Sequence, residues 1–357
     1  MIDFIDVSKH NKDLLPEIMP ELRSLIESGQ YILGRHLKEF ERSFASYCGT
    51  RYCVGVNSGT DALILSLRTL KVKHGDVLTV SFTFPATVMA ILAAGYRPKF
   101  VDVNSLGTMD PKDFEKKIDE NTVAVIPVHF MGHPCNMGEI MGVANSHGIP
   151  VIEDACQAAG ASYAGKKTGS FGYTGCFSFF PTKNLGALGD GGAILTDNED
   201  VYKSLLLLRD FGKTGRETFS SLGTNTRLDE IQALVLSHKL KLLDWWIYER
   251  EKRAKFYRDN LPDHIGVLYP PINAISTYHL FVVTVKDNLK AVEDMKRMGV
   301  DCRTHYSVPC HRQPFVDFYE ELPMTDFLSK RVMSLPISEF ISEEQQNVVL
   351  DALNRLS

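Results

Sequence analysis

Between residues 52 and about 153 the sequence alternates short β-rich runs with amphipathic stretches, and nothing else in the chain limits the fold so tightly. "YCVGV" leads into "TDALILSLRTL", "DVLTVSF" into "ATVMAILAAGY", "PKFVDV" into "DPKDFEKKI" and "TVAVIPVHF" into "NMGEIMGVANSHG"; "PVIEDA" follows. Strands and helices in this succession bury their apolar faces as a mostly parallel sheet covered by helices on both sides. Ligands of such sheets collect outside the carboxyl ends of the strands. The polar residues just after each run are therefore candidates: Asn57–Ser58–Gly59–Thr60, Thr83–Phe84, His129 and Asp154.

After Asp154 the texture changes. "GCFSFF" and "GGAILT" read as short strands around a lysine-bearing segment, followed by a helix over 199–208 and the loop "DFGKTGRETFSSLGTNT". A long helix over about 228–260 has the composition of a bridge between domains. From "IGVLYP" onward the chain reads as a smaller α+β unit with a strand in "HLFVVTV". The division expected is a large domain over 1–240 and a small one over 241–357.

Charge and cysteines narrow the function class. The 39 basic and 44 acidic residues give a formal −5 with no basic tract, which removes electrostatic support for a nucleic-acid or membrane-surface role. Seven scattered cysteines (48, 53, 135, 156, 176, 302, 310) without a C-x-x-C pair suit a reducing compartment and argue against a disulfide framework or zinc site. The start "MIDFIDVSKHNKDLL" is not a signal peptide, and runs such as "VMAILAAG" are too short to span a bilayer. A soluble cytoplasmic protein is expected.

Several residue groups carry candidate chemistry. "VNSGTDALIL" sets Ser-Gly-Thr between strand and helix, where free amides and the helix dipole suit a phosphate, although an ordinary N-cap would look the same. "PVIEDACQAAG" ends a buried strand in two acids; alternation aims Asp154, rather than Glu153, into the crevice, where a carboxylate can pair with a protonated ring nitrogen. Lys183 lies in "FSFFPTKNLG", an apolar setting that lowers an amine's pKa and makes it a nucleophile toward carbonyls. The tail "GALGDGGA" is no P-loop, since Lys and Ser/Thr do not follow the glycines. Phe84 in "SFTFPAT" can stack on a flat ring or fill a core. His129, His305 and His311 lack a zinc pattern; with Tyr306, the last two form a polar cluster in "THYSVPCH". A phosphate cup, a stacking aromatic, a ring-nitrogen carboxylate and a downstream lysine together meet the requirements of pyridoxal 5′-phosphate.

The blocks "NSGTDAL", "VIEDACQAAGA", "GSFG", "CFSFFPTKNLGALGDGGAILT", "GTNTRLDEIQA", "YHLFVV" and "HYSVPCHRQP" resemble, in order, those of the DegT/DnrJ/EryC1/StrS family. These are fold-type-I, pyridoxal-phosphate-dependent sugar aminotransferases. The resemblance implies a large domain with a mostly parallel seven-stranded sheet between helices and a smaller C-terminal α+β domain. It implies that Lys183 binds the cofactor covalently and shuttles protons, that Asp154 pairs with the pyridine nitrogen, and that Gln157 sits by the phenolic oxygen. Gly59, Thr60 and Ser178 would hold the phosphate, Phe84 would stack, and Asn225 would reach the phosphate of a partner subunit in a homodimer with shared sites. A family subset replaces the lysine by histidine and deoxygenates; Lys183 argues against that chemistry.

The segment "ESGQYILGRHLKEFERSFASYCG" resembles members acting on 3-keto nucleotide sugars, with Tyr31, His305, Tyr306 and His311 as substrate contacts. Lys213 and Arg216 would neutralise a nucleotide diphosphate, or are simply solvated. Tyr173 stands where "GSFGD" often has Asp, and Ser307 where proline is usual. The implied reaction is ping-pong transamination of a nucleotide-linked keto sugar with glutamate as donor. A C4 sugar or inosose aminotransferase, and a cofactor-binding regulatory protein without turnover, remain open alternatives.

Overall fold

The computed structural model describes residues 1–318 and 320–356. Its centre is a sheet of β1 (Tyr52–Val56), β2 (Asp76–Val80), β3 (Arg97–Val101), β4 (Thr122–Ile126), β5 (Ile152–Asp154), β6 (Thr174–Ser178) and β7 (Gly192–Thr196). The ladders give the orders β1-β7-β6-β5 and β3-β2-β4. Parallel bridges Val125↔Val151 and Val128↔Asp154 join β4 to β5, completing seven strands. Only β7 runs against its neighbours, pairing antiparallel with β1 and β6. The remaining pairs are parallel, as the strand–helix succession requires. All five residues of β2 and of β7 are buried, which is why their sequences lack a polar alternation.

Helix α1 (Leu15–Ser28) is followed by α2 (Arg35–Cys48), whose Leu37, Phe40 and Phe44 pack with Cys53, Phe177 and Leu195 on one face of the sheet; Leu63 and Leu67 of α3 (Gly59–Arg68) pack with Val54, Cys176 and Ile194 on the other. The aromatics of "FSFF" divide by strand alternation. Phe177 and Phe179 turn inward, meeting Phe44 edge-on at centroid distances of 5.0 and 5.4 Å, while Ser178 and Phe180 point toward the strand-end cleft. Three further helices, α4 (Ala86–Ala93), α5 (Pro111–Lys117) and α6 (Met137–His147), make the crossovers between parallel strands.

Downstream lie α7 (Glu199–Leu208), α8 (Glu230–Leu240) and α9 (Leu243–Asn260). The single helix expected over 228–260 is thus two. Tight bonds from the Lys241 amide to the His238 carbonyl and from Leu242 to Lys239 make a short turn between them, with no glycine or proline to announce it. Helix α9 bridges two cores. Leu243, Trp246 and Ile247 pack with the aromatics beside the main sheet, and Ala254 and Tyr257 pack with the C-terminal cluster. That cluster lies on an antiparallel sheet of β8 (Gly266–Val267), β9 (Phe281–Thr284) and β10 (Val332–Leu335), covered by α10 (Asn288–Arg297) and α12 (Glu343–Asn354), with α11 (Pro323–Ser329) before β10. A fully buried Arg250–Glu339 pair at 2.9 Å ties α9 to the segment after β10.

Glu230 joins the N-terminal helices to α8. Its carboxylate accepts the amides of Gly34, Leu37 and His36 at 2.7, 3.1 and 2.8 Å, closing the N-terminus of α2. A methyl group on Gly34 would lie 2.8 Å from this carboxylate, so only glycine fits there. Glu230→Ala leaves three amides without an acceptor at a site 1 % exposed. The expected loss is about 2–4 kcal/mol of folding stability, seen as a lower midpoint in urea or thermal unfolding; an unchanged midpoint would show that the cap is not needed.

Candidate active site

The carboxyl ends of β1, β2, β5 and β6 converge on a cleft of about 330 Å³, closed from the other side by the C-terminal residues His279, Leu280, His305 and Tyr306. Strand β1 delivers Ser58, Gly59 and Thr60; β2 delivers Thr83 and Phe84; β5 delivers Asp154; β6 delivers Ser178.

An anion-sized corner forms where α3 begins. Ser58 caps the helix by accepting the Asp61 amide at 3.0 Å, so the first amides of α3 face the cleft with no intrahelical partner. Gly59 is required by its neighbours rather than by its own dihedrals. A Cβ there would lie 2.6 Å from the Cys156 sulfur and 2.8 Å from the Ser178 Cβ. Two strand ends thus approach closely enough for the amides and the Ser178 hydroxyl to share one ligand.

Asp154 and Glu153 separate by strand alternation, as the sequence suggests. Asp154 lines the cleft, its Oδ2 accepting from the Thr87 hydroxyl at 2.8 Å and its Oδ1 from the Cys156 amide at 3.2 Å. Glu153 points into the protein, where the amides of Gly169, Phe171 and Gly172 donate to it at 2.7, 2.6 and 2.9 Å and His129 Nε2 at 3.0 Å. His129 therefore belongs to the support beneath the cleft. Burial opposes charge on its ring, but the bonds to Cys135 and Glu153 outweigh it and raise its pKa above the usual imidazole value. The Cys135 amide hydrogen points at Nδ1 at 3.0 Å, which places a ring proton on Nε2 toward Glu153. Gln157 is anchored by the Met131 amide, which donates to Oε1 at 2.8 Å. Phe84 is 55 % exposed, its ring 6.0 Å from that of Tyr306 across the cleft.

Lys183 lies in the loop between β6 and β7. Burial holds its amine below the usual lysine range, partly opposed by Cys156 and Asp154. The loop is braced from behind. Asn184 donates to the Thr277 carbonyl at 2.7 Å and accepts from His279 Nδ1 at 3.2 Å, and the buried Lys239 donates to the Gly186 carbonyl at 2.6 Å. Desolvation pushes the Lys239 amine down to about 8. Because Asn184 uses its amide nitrogen on Thr277, its oxygen faces His279, which places the histidine proton on Nδ1 and a lone pair on Nε2.

Thus Lys183, Asp154, Gln157, Gly59, Thr60, Ser178, Phe84, His305 and Tyr306 lie on one cleft. Four other candidates lie elsewhere on this chain. Asn225, Lys213 and Arg216 are exposed on the segment before α8, and Tyr31, 45 % exposed, lines a separate groove with Arg35, Lys38 and Arg42. His311 lies outside the lining of this cleft: its buried ring bonds Ser81 Oγ through Nδ1 at 2.6 Å, and Asp326 stands 3.2 Å from Nε2. Sequence reasoning missed Thr87 and His279. The first is one helical turn past Phe84; the second precedes a strand shorter than "HLFVVTV" suggests, Phe281–Thr284 alone being paired.

The sequence matches the model of the DegT/DnrJ/EryC1/StrS aminotransferase family over residues 12–354. The chain belongs to this family. It is 39% identical over 362 residues to the dTDP-3-amino-3,6-dideoxy-alpha-D-galactopyranose transaminase of Aneurinibacillus thermoaerophilus, covering 99% of both chains. It is 37% identical over 364 residues to a protein of Geobacillus stearothermophilus named pleiotropic regulatory protein, covering 99% of this chain and 97% of that one. The crystal structure of S. venezuelae DesV in complex with a ketimine intermediate matches with a TM-score of 0.96 and 36% identity, over 100% of this chain and 99% of that one. Like the DegT/DnrJ/EryC1/StrS aminotransferases, this is a pyridoxal-phosphate-dependent sugar aminotransferase of fold type I. The cleft fits that cofactor: a corner that a single Cβ at position 59 would fill, a carboxylate held by two donors, and an amine whose charge burial disfavours.

Burial keeps the site's histidines neutral. His305 is lowered to about 4 by desolvation, then by Arg303 and Lys183, and His279 is lowered well below the usual value. His133, fully buried against Ser276, is likewise lowered to about 4. Between pH 6.5 and 4 the unfolded chain takes up protons that these rings refuse in the fold, so stability falls as pH drops. Each ring contributes about 1.4 kcal/mol per pH unit within that window. His133→Gln is expected to make the decline between pH 5.5 and 4.5 shallower by about that amount in urea unfolding, and an unchanged slope would refute the neutral assignment.

Proposed function

We propose that this chain transfers an amino group from glutamate to the C3 ketone of a dTDP-linked 3-keto-6-deoxyhexose. The observation that carries the reading is the pairing, in one cleft, of an amine disfavoured as a cation with a firmly held carboxylate, Lys183 and Asp154. The sugar and its C3 position are inferred from relatives named for 3-amino sugars, such as the transaminase of Aneurinibacillus thermoaerophilus.

Pyridoxal phosphate, when bound, supplies an aldehyde for amine exchange and a protonated ring that accepts electron density. The chain's residues do the rest. Lys183 Nζ takes up and returns the proton of the donor's α-carbon, a role suited to an amine whose charge burial disfavours. With the cofactor bound, Asp154 would keep a positive charge on its ring nitrogen and Gln157 would serve its phenolic oxygen. The first amides of α3 with Ser178 would hold its phosphate, and Phe84 would stack on it. His305 and Tyr306 contact the sugar from the C-terminal side. Asn225, exposed and outside the lining of its own cleft, is assigned to the phosphate of a second copy in a homodimer. Tyr31, Lys213 and Arg216 are assigned to the nucleotide side of that shared site. His311 is withdrawn as a substrate contact.

Lys183→Ala is expected to abolish the visible band of the lysine-bound cofactor and to slow transamination by roughly 10²–10⁴-fold or more. In the wild type, glutamate should bleach that band, and dTDP-keto sugars, tested beside UDP- and GDP-linked ones with NMR of the product, should yield the 3-amino sugar. The regulatory name of the Geobacillus stearothermophilus relative gives the second reading, cofactor binding without turnover. Persistence of the band with every amino donor would favour that reading and sink the transaminase one.

A further inference from the structure

Asp154 ends β5 with its carboxylate 4 % exposed. The terminal torsion of an aspartate is broad, so strand geometry alone does not fix the carboxylate plane. Two donors from different elements fix it here. The Cys156 amide, in the turn that follows β5, holds Oδ1 at 3.2 Å, and the Thr87 hydroxyl holds Oδ2 at 2.8 Å from helix α4.

The Thr87 hydroxyl has a single hydrogen to give. Its candidate acceptors are Asp154 Oδ2 at 2.8 Å, the Phe84 carbonyl at 3.3 Å and Thr83 Oγ1 at 3.1 Å. The nearest is also the carboxylate, and hydrogen bonds to ionised acceptors are the stronger ones. Thr83 is then free to donate to the Thr87 oxygen. Both threonines are within 2 % of complete burial. The turn that brings Phe84 to the cleft also brings Thr87 beneath Asp154, three residues on.

We propose that Thr87, backed by Thr83, is a positioning residue that orients the Asp154 carboxylate toward a cationic ring nitrogen. The proposal rests on reading the cleft as the pyridoxal-phosphate site.

Thr87→Val keeps the shape and removes the donor; Thr87→Ser keeps the donor. Apoprotein of each is titrated with pyridoxal phosphate by equilibrium dialysis, and the visible spectrum of the loaded protein is followed against pH. Thr87→Val is expected to bind the cofactor about 10–100-fold more weakly and to shift the pH midpoint of the visible band, while Thr87→Ser returns both toward wild type. Thr83→Val should move the same readouts in the same direction by less. Wild-type affinity and midpoint in Thr87→Val would overturn the proposal, as would a Thr87→Ser protein no better than Thr87→Val when both melt like wild type. Should Thr87→Val fail to fold, Thr83→Val and Thr87→Ser carry the decision: wild-type values in Thr83→Val with impaired binding in Thr87→Ser would reject the role. Wild-type protein that takes up no cofactor would reject the site reading itself, and with it this one, a result distinct from any variant effect.

Discussion

The cleft depends on one buried carboxylate that never enters it. Glu153 is fully enclosed and accepts four hydrogen bonds, three from the amides of Gly169, Phe171 and Gly172 and one from His129. A buried charge without such partners would cost several kcal/mol, so the loop over 169–172 and the turn after β4 are obliged to converge on it. Their convergence locks the end of β5, and the next residue along that strand is Asp154. The strand's period of two places one acid in structural service and the other at the ligand crevice. Exchanging their surroundings would demand a register slip of the entire strand.

The cleft's other residues arrive by the same logic of strand ends. Chain reversals inside the sheet are confined to β7, and so the amides after β1, the hydroxyl at the end of β6 and the carboxylate of β5 open onto one edge. Tight packing sets their spacing. The Ser58 carbonyl would lie 2.4 Å from a Cβ on Gly192, and the Pro181 carbonyl 2.4 Å from one on Gly186. The glycines of "GALGDGGA" thus permit backbones to cross beneath the lysine loop.

Much of this was legible in the sequence because it follows from periodicity. The strand–helix alternation gave the parallel sheet, and the end of "PVIEDA" separated Asp154 from Glu153. The blocks of family likeness located Lys183. What escaped depends on contacts between distant segments. The break at 241–242 comes from local bonding without a punctuating residue. The fate of His311 was decided by Ser81, some 230 positions away, and by Asp326. Thr87 looked like any helix threonine until β5 was placed above it. Asn225, Tyr31, Lys213 and Arg216 raise a different issue, since they lie outside the lining of the cleft on their own chain.

The electrostatics of the cleft follow from which groups burial leaves charged. Desolvation keeps His279 and His305 neutral and disfavours the ammonium of Lys183. Asp154, by contrast, keeps donors on both oxygens, the Thr87 hydroxyl and the Cys156 amide. At the far corner the N-terminus of α3 presents partial positive charge, and among the described residues Lys183 is the one lysine or arginine that lines the cleft. The site therefore sets the Asp154 carboxylate against the partial positive charge of the α3 amides, with Asp190 also on its lining and neutral imidazoles and apolar rings between. A flat molecule bearing a cationic ring nitrogen at one side and a phosphate at the other matches that separation. A ligand of uniform charge would meet repulsion at one end or the other. In this way the fold selects the polarity of its ligand through backbone dipoles and desolvation, and needs few charged side chains to do it.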